Sequence, residues 1–296
     1  MKIINNQKLD TPTCFVFKTE PYEHQKEALE RSCDSKEFAL FMEMGTGKSK
    51  VLIDNITHLC VKGEINGVLI IAPKGVYRNW VEREIPYHFP KFIEANIMLW
   101  HPHTTKKIEK EKQNLLDNNS FDINILVMNV EALSTKKGVK FAYSFLSRYE
   151  TLMVVDESTT IKNPTAKRTK NIVSLGKYAY YRRILTGSPI TRSPLDVYTQ
   201  SQFLDPALLG FSSYYSFRAR YALLAPGFAG GRTFKKVVGF QNIDELNELL
   251  TKFSYRVLKK DCLDLPDKVY VRREIEMSPE QAKVYGELKR YAISQL

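Results

Sequence analysis

Residues 40–50 read LFMEMGTGKSK: an apolar run that breaks into two glycines one residue apart, then a lysine and a serine. A chain that leaves a buried strand, turns sharply through glycine and enters a helix gathers unbonded backbone N–H groups at one point. The helix dipole adds to their positive field, so the turn is a ready cradle for phosphate. In the full signature a further glycine, separated by four residues, precedes Gly-Lys-Ser/Thr; here Met42 holds that place. Gly45 and Gly47 permit the turn, Lys48 is placed to reach the outer phosphates, and Ser49 is placed to hold Mg²⁺. The expected nucleotide contacts therefore run through Gly45, Thr46, Gly47, Lys48, Ser49 and Lys50. At ordinary glycine usage of about 7%, a chance Gly-x-Gly-Lys-Ser/Thr in such a chain arises on the order of one time in a hundred. A glycine turn with an exposed lysine is the weaker explanation.

Runs of the same apolar character recur outward from this stretch: EFALFM (37–42), GVLIIA (67–72), INILVM (123–128), TLMVV (151–155) and RRILT (182–186). Near-continuous hydrophobicity marks strands buried on both faces of a parallel sheet. Between the first two, Leu52, Ile56, Leu59 and Cys60 form one helical stripe, with Gly63 as the stop. The pattern predicts a doubly wound α/β domain. The runs are followed by EMGTGKS, PKG, NVE, DES and TGS, turns that share the carboxyl edge where such sheets bind ligands. Asp156 and Glu157 supply the acidic half of the chemistry. Asp156 suits Mg²⁺; Glu157 suits orienting and deprotonating a water. An acidic pair after a strand can equally cap a helix, but beside the lysine loop the catalytic reading prevails.

With 296 residues, 43% hydrophobic and 26% charged, the chain has room for one large or two ordinary domains around a sizeable core. No run approaches the 18 or so apolar residues of a membrane span, and the opening MKIINNQKLD lacks the apolar stretch of a secretory signal. The four scattered cysteines read as reduced thiols of a cytosolic protein, and His101 with His103 lacks the further ligands of a metal site. The net charge of +11 favours a polyanionic partner, nucleic acid being the commonest, with plain solubility as the alternative. Residues 196–258 read as mainly helical, interrupted by the glycine-rich turn APGFAGG (225–231). VLKKDCLDLPDK reads as a linker, VYVRREIEM as a strand, and a helix begins at Ser278.

The order of these motifs resembles the N-terminal RecA-like lobe of a superfamily-two helicase, specifically the Swi/Snf-type translocases that run along duplex DNA. PYEHQKEAL is similar to the family's glutamine motif, EMGTGKS to its phosphate loop and LIIAPKGVYRNW to motif Ia. LVMNVEAL resembles motif Ib, VVDESTTIKN motif II and RRILTGSPI motif III. FSYRVLKKDCLDLPDKVYV and MSPEQAKVYGEL resemble the segment joining two lobes and the helix after it. The run DESTTIKNPTAKR sets the chain apart from ordinary strand-separating helicases, and in this family the leading glycine of the loop is often absent.

The resemblance implies a RecA-like phosphate-loop lobe over residues 1–195, a helical protrusion over 196–258, and a linker with the start of a second lobe over 259–296. It implies ATP and Mg²⁺, the metal held by Ser49 and Asp156, with Lys48, Asp156 and Glu157 catalytic. Gln25 would read the adenine edge, since an amide both donates and accepts; Tyr22 would stack near the base or pack in the core. Thr186, Gly187 and Ser188 would relay the phosphate state. Lys74, Arg78, Asn79, Asn129, Lys162, Lys167 and Arg168 would grip duplex DNA by its phosphates, without reading sequence, although any of them could be a solvated surface charge. Arg218 and Arg220 are weaker candidates, Trp80 is expected in the core, and TTKKIEKEKQ (104–113) reads as a solvated face. Thr159 departs from the His or Gln often found there. A second RecA-like lobe is expected as partner, since its arginines are worth about 10³–10⁵ in rate in related enzymes. The expected location is a bacterial or viral-host cytoplasm, a nucleus being compatible. A helicase separating DNA or RNA strands, a nucleic-acid-binding module with a relic nucleotide site, and a small phosphate-loop kinase remain as alternatives.

Overall fold

A computed structural model describes residues 15–103, 105–117, 120–229, 232–264 and 271–294. Cys14, Thr104, Gly230 and Gly231 of the glycine-rich stretch, and linker residues 265–270 lie outside the described residues. The chain divides into two compact units between Leu263 and Asp264.

The first unit is built on seven strands: β1 (Glu37–Met42), β2 (Gly67–Ala72), β3 (Ala95–Leu99), β4 (Ile123–Asn129), β5 (Thr151–Asp156), β6 (Tyr181–Leu185) and, late in the chain, a strand over Ser254–Val257. Two further strands, β7 (Ala222–Ala229) and β8 (Arg232–Phe240), pair with each other alone, so the late strand is β9. The sheet order is β3-β4-β2-β5-β6-β1-β9, with every pairing parallel. All five expected strands are present. β3 and β9 escaped notice because β3 lies half-exposed at the sheet edge and β9 is only four residues long.

The continuous apolar runs have the expected cause. Phe38, Leu40 and Met42 enter the core on one face of the sheet, while Ala39 and Phe41 enter the core on the other. The first face is covered by α2 (Lys48–Val61; the preceding α1 spans Glu23–Ser32) through Val51, Leu52, Ile53, Ile56 and Leu59. Each such side chain contributes about 1.5–3 kcal/mol on burial. Helix α2 stops just before Gly63, whose φ of +73° suits glycine. The second face is covered by helices Lys136–Arg148, Lys167–Gly176 and Val197–Leu204. Helix Lys106–Asp117 buries only Lys112 and Leu115, so the lysine-glutamate stretch is a solvated face along most of its length. Among the described residues no helix is long and apolar enough to cross a membrane.

Two expectations need correction. The described part of 196–258 contains three helices, but 222–229 and 232–240 form the antiparallel β7–β8 ribbon. Pro226 and Gly227 disfavour helix, and Val237 with Val238 favours an extended chain. Residues 271–277 form no strand, because a strand needs a partner and the described part of the second unit offers none. Helix Pro279–Ser294 follows as expected. Ser278 Oγ accepts from the Gln281 N–H (3.3 Å), and Gln281 Oε1 accepts from the Ser278 N–H (3.1 Å), a reciprocal cap.

Arg183 locks β6 against the turn that leads into β1. Its fully buried guanidinium donates to Asn55 Oδ1 (3.0 Å) and to the carbonyls of Ser32 (2.7 Å), Ser35 (2.7 Å) and Lys36 (3.1 Å). Burial pushes it down to about 10, so it stays charged at neutral pH. Arg183→Met leaves those acceptors unpaired in the interior and is expected to cost about 3 kcal/mol, read as a lower urea midpoint; an unchanged midpoint contradicts this role.

Candidate nucleotide site and nucleic-acid face

Strand β6 lies between β1 and β5, with Leu185 opposite both Leu40 and Asp156. The loop after β1, the acids after β5 and the Thr186–Ser188 turn after β6 therefore emerge side by side. Gly45 and Gly47 both take left-handed backbone, at φ +84° and +89°, a conformation costly for residues with a Cβ. A Cβ on Gly47 would also stand 2.1 Å from Gln25 Nε2. Between them Thr46 is pinned, its N–H (3.2 Å) and Oγ1 (2.8 Å) both donating to the Glu43 carbonyl. The Thr46 carbonyl accepts from Gln25 Nε2 (3.1 Å) and faces His24 Nε2 at 2.8 Å.

Gln25 is thus a clamp on the loop. Its amide oxygen is also engaged, accepting from the Tyr22 N–H at 3.1 Å, so adenine recognition requires one of these bonds to be exchanged. Tyr22 is 64% exposed, outside the core, with its ring stacked on His24. Lys48 Nζ donates to the Met42 carbonyl (3.0 Å), lying back across the mouth of the loop, and Ser49 follows half-buried on the first turn of α2. Lys50 differs from expectation. Its ammonium is buried against Asp54 and sits 4.9 Å from the centre of the Phe17 ring.

Asp156 ends β5 with both oxygens held: Trp80 Nε1 donates to Oδ2 and the Glu157 N–H donates to Oδ1, each at 3.0 Å. Burial pushes the carboxyl up to about 6, helped by the Glu157 charge and opposed by Trp80, the Glu157 N–H and Lys48. A carboxylate so placed fits a divalent cation, because its two hydrogen-bond donors are neutral and no cation is ion-paired to it among the described residues. Glu157 carries left-handed backbone at φ +49°, ψ +62°, costing about 1–3 kcal/mol, and its Oε2 accepts from Thr186 Oγ1 at 3.3 Å. The Ser188 N–H in turn donates to Thr186 Oγ1 (3.2 Å). Gly187 lies so close to the phosphate loop that a Cβ there would stand 3.1 Å from the Met44 nitrogen.

The sequence reading missed Trp80's polar role, since an aromatic in an apolar context reads as packing. It also missed buried Gln200, which accepts from Ser158 Oγ (2.6 Å) and donates to the Pro189 carbonyl (2.8 Å). No local pattern around Gln200 announces that bridge.

A parallel sheet in this order, with a glycine loop facing an Asp-Glu pair, has known relatives. The chain matches the SNF2-related domain over residues 24–296. It belongs to that family. It is similar to the chromatin-remodeling ATPase INO80 of Saccharomyces cerevisiae, at 27% identity over 252 residues, covering 83% of this chain and 16% of the relative. To the chromatin structure-remodeling complex subunit snf21 of Schizosaccharomyces pombe it is 27% identical over 257 residues, covering 85% of this chain and 20% of that one. In three dimensions it resembles the Sulfolobus solfataricus SWI2/SNF2 ATPase core in complex with dsDNA, with TM-score 0.61 and 25% identity. That match covers 91% of this chain and 52% of the archaeal one. The chain thus spans a fifth or less of these curated relatives and about half of the archaeal core. The α/β class and the Swi/Snf resemblance are borne out: this is an SNF2-related lobe homologous to chromatin-remodeling ATPases.

Over the rest of the SNF2-related domain the basic residues sort into two groups. Lys74, Arg78 and Asn79 are exposed after β2. Lys74 shares a groove of about 340 Å³ with Tyr77, Asn129 and Lys137, where Asn129 Nδ2 donates to Glu131 Oε2 (3.0 Å). Exposed Lys167 lines another groove of about 460 Å³ with Lys136, Lys140 and Asn171, and both grooves touch Thr135. The lysines in STKKGVK (134–140) had gone unremarked. By contrast, Lys162 is engaged by Thr191 and by Asp196 at 3.6 Å, and Arg168 Nε donates to the Thr160 carbonyl (3.2 Å). These two brace the chain after the acid pair. Arg218 lies over Tyr215 and Arg220 pairs with Glu245.

Cys33, Asp34 and His58 also gather, their ligand atoms within 4.8 Å of one another. Lys62 Nζ stands 2.6 Å from Asp34 Oδ1 and already supplies the positive charge, so the group reads as an ion-pair knot. Cys33, Cys60 and Cys262 carry free thiols.

Trp80→Phe keeps the ring packing and removes the donor to Asp156. If Asp156 holds Mg²⁺, this substitution is expected to weaken Mg²⁺-dependent nucleotide binding about 10-fold, as loss of a partner behind a metal ligand does. A Mg²⁺ titration indistinguishable from wild type contradicts it.

Proposed function

We propose that this SNF2-related domain is the first motor lobe of an ATP-dependent double-stranded DNA translocase. It binds ATP with Mg²⁺ and hydrolyses it when paired with a second RecA-like lobe. The observation that carries this reading is the meeting of the Lys48 loop with Asp156 and Glu157 along one sheet edge. The archaeal relative, solved as a complex with dsDNA, supports duplex DNA as the track.

In this reading the amides of Gly45, Gly47, Lys48 and Ser49 and the Lys48 ammonium hold the phosphate chain, while Thr46, expected as a contact, has its N–H and hydroxyl committed to Glu43 and braces the loop. Ser49 and Asp156 would hold Mg²⁺, which supplies charge neutralisation on the phosphate oxygens. Glu157, fixed by its backbone and by Thr186, orients the attacking water and takes its proton. Thr186, Gly187 and Ser188 connect that carboxylate to the loop, and Gln25 closes the adenine side. Lys74, Arg78, Asn79, Asn129 and Lys167 grip DNA phosphates, joined by Lys136, Lys137 and Lys140. Lys162 and Arg168 act indirectly, by bracing the segment after Asp156. The ATP lobe takes in the chain up to residue 195 and, against the expected boundary, β9 (Ser254–Val257) as the edge strand beside β1; the helices and β ribbon between 196 and 253 form the protrusion, and 259–296 is the connector to the second lobe. Such work places the protein where duplex DNA lies, in a bacterial or viral-host cytoplasm or a nucleus.

Two measurements test the proposal. The 296-residue chain is expected to bind ATP with Mg²⁺, to lose that binding in Lys48→Ala, and to turn ATP over about 10³–10⁵ times more slowly than a two-lobed form. Brisk DNA-stimulated hydrolysis by the single lobe contradicts it. In a two-lobed form, ATPase stimulation should be greatest with duplex DNA; best stimulation by RNA or single strands points to a strand-separating helicase instead.

A further inference from the structure

Lys259 is the first residue of the short helix Lys259–Cys262 that follows β9; it lies in the stretch VLKKDCLDLPDK, read above as a linker, and none of the site roles assigned above includes it. Its side chain folds back over the phosphate loop, with Cε 3.2 Å and Nζ 3.4 Å from where a Cβ on Gly45 would stand. No hydrogen bond or ion pair engages this ammonium among the described residues. Its position is built by Glu43. The Glu43 N–H donates to the Val257 carbonyl (3.0 Å), and Glu43 Oε2 accepts from the Lys259 N–H (2.8 Å). The carbonyl of the same Glu43 accepts from Thr46. One residue therefore fixes both the loop and the start of the connector.

The Glu43 carboxylate is engaged by the Lys259 N–H and makes no ion pair with the Lys259 ammonium among the described residues, so that ammonium is free to meet an anion seated on the loop. We propose that Lys259 is a second cationic ligand for the nucleotide's phosphates, reaching them from the β9 side while Lys48 reaches them from α2. The inference rests on the ATP-binding reading and adds a consequence to it. Nucleotide occupancy pins a residue just ahead of Leu263, where the first compact unit ends, so arrival and loss of phosphate are felt at the root of the connector.

The test is equilibrium binding of ATP and of inorganic tripolyphosphate to wild type, Lys259→Met, Lys259→Arg and Lys48→Ala, with a thermal midpoint for each. Lys259→Met is expected to weaken both ligands about 10-fold, as loss of one charge-assisted hydrogen bond does, with the ligand-free midpoint unchanged. Lys259→Arg is expected to recover most of the affinity. ATP binding by Lys259→Met within about twofold of wild type, where 1.4 kcal/mol is tenfold, overturns the inference. So does a loss confined to ATP with tripolyphosphate unaffected, or a loss matched by a lowered midpoint. If Lys48→Ala abolishes binding and Lys259→Met does not, this inference fails alone. If wild type binds neither ligand, the nucleotide reading fails and takes it down as well.

Discussion

A carboxylate half-buried at the tip of a parallel strand, with only neutral donors on its oxygens, sets the terms for the rest of this molecule. Asp156 is held by Trp80 and by the Glu157 N–H, and its burial pushes the carboxyl up to about 6. Keeping such a group charged in the interior costs several kcal/mol unless a cation shares the site. The neighbouring strands deliver the complementary pieces: a loop of amides and a lysine from β1, and a hydroxyl from β6. The left-handed backbone of Glu157, Gly45 and Gly47 is the geometric cost of aiming those groups at one point.

Contiguous contacts link that point to distant parts of the chain. Glu157 bonds Thr186, Gly187 touches the loop backbone at Met44, and Ser158 is joined through Gln200 to Pro189. On the other side Glu43 ties the loop to β9 and to Lys259. These are packed, hydrogen-bonded connections, the physical kind that carries coupling when an element has two arrangements. They converge on the segments that lead out of the nucleotide edge: toward Asp196 and the following helices, and toward the connector.

Much of this was legible in the sequence because burial on both faces writes a simple signal. EFALFM and GVLIIA could hardly be anything but central strands, and the turns after them announced the ligand edge. β3, half-exposed, and four-residue β9 write weaker signals. The β7–β8 ribbon was misread because aromatic and basic residues on either side suggested helix, although Pro226 and Gly227 spoke against it. Site residues were legible by type and order, but their partners were not. Lys50 stands within the loop motif, yet its side chain belongs to Asp54; Lys162 and Arg168 are basic, yet committed to the chain itself. Trp80 was placed in the core correctly, while its hydrogen bond to Asp156, a residue 76 positions away, has no local signature. Family membership over residues 24–296 secured the architecture and left these partnerships to the geometry.

The central claim is that Lys48 and the Asp156–Glu157 pair serve one nucleotide. A crystal structure with Mg²⁺ and a non-hydrolysable ATP analogue tests it most directly. The account predicts phosphate oxygens within hydrogen-bond distance of Lys48 Nζ and of the amides of Gly45, Gly47, Lys48 and Ser49, with Ser49 and Asp156 among the metal's ligands. A nucleotide bound elsewhere, or one whose metal leaves Asp156 uncontacted, contradicts it.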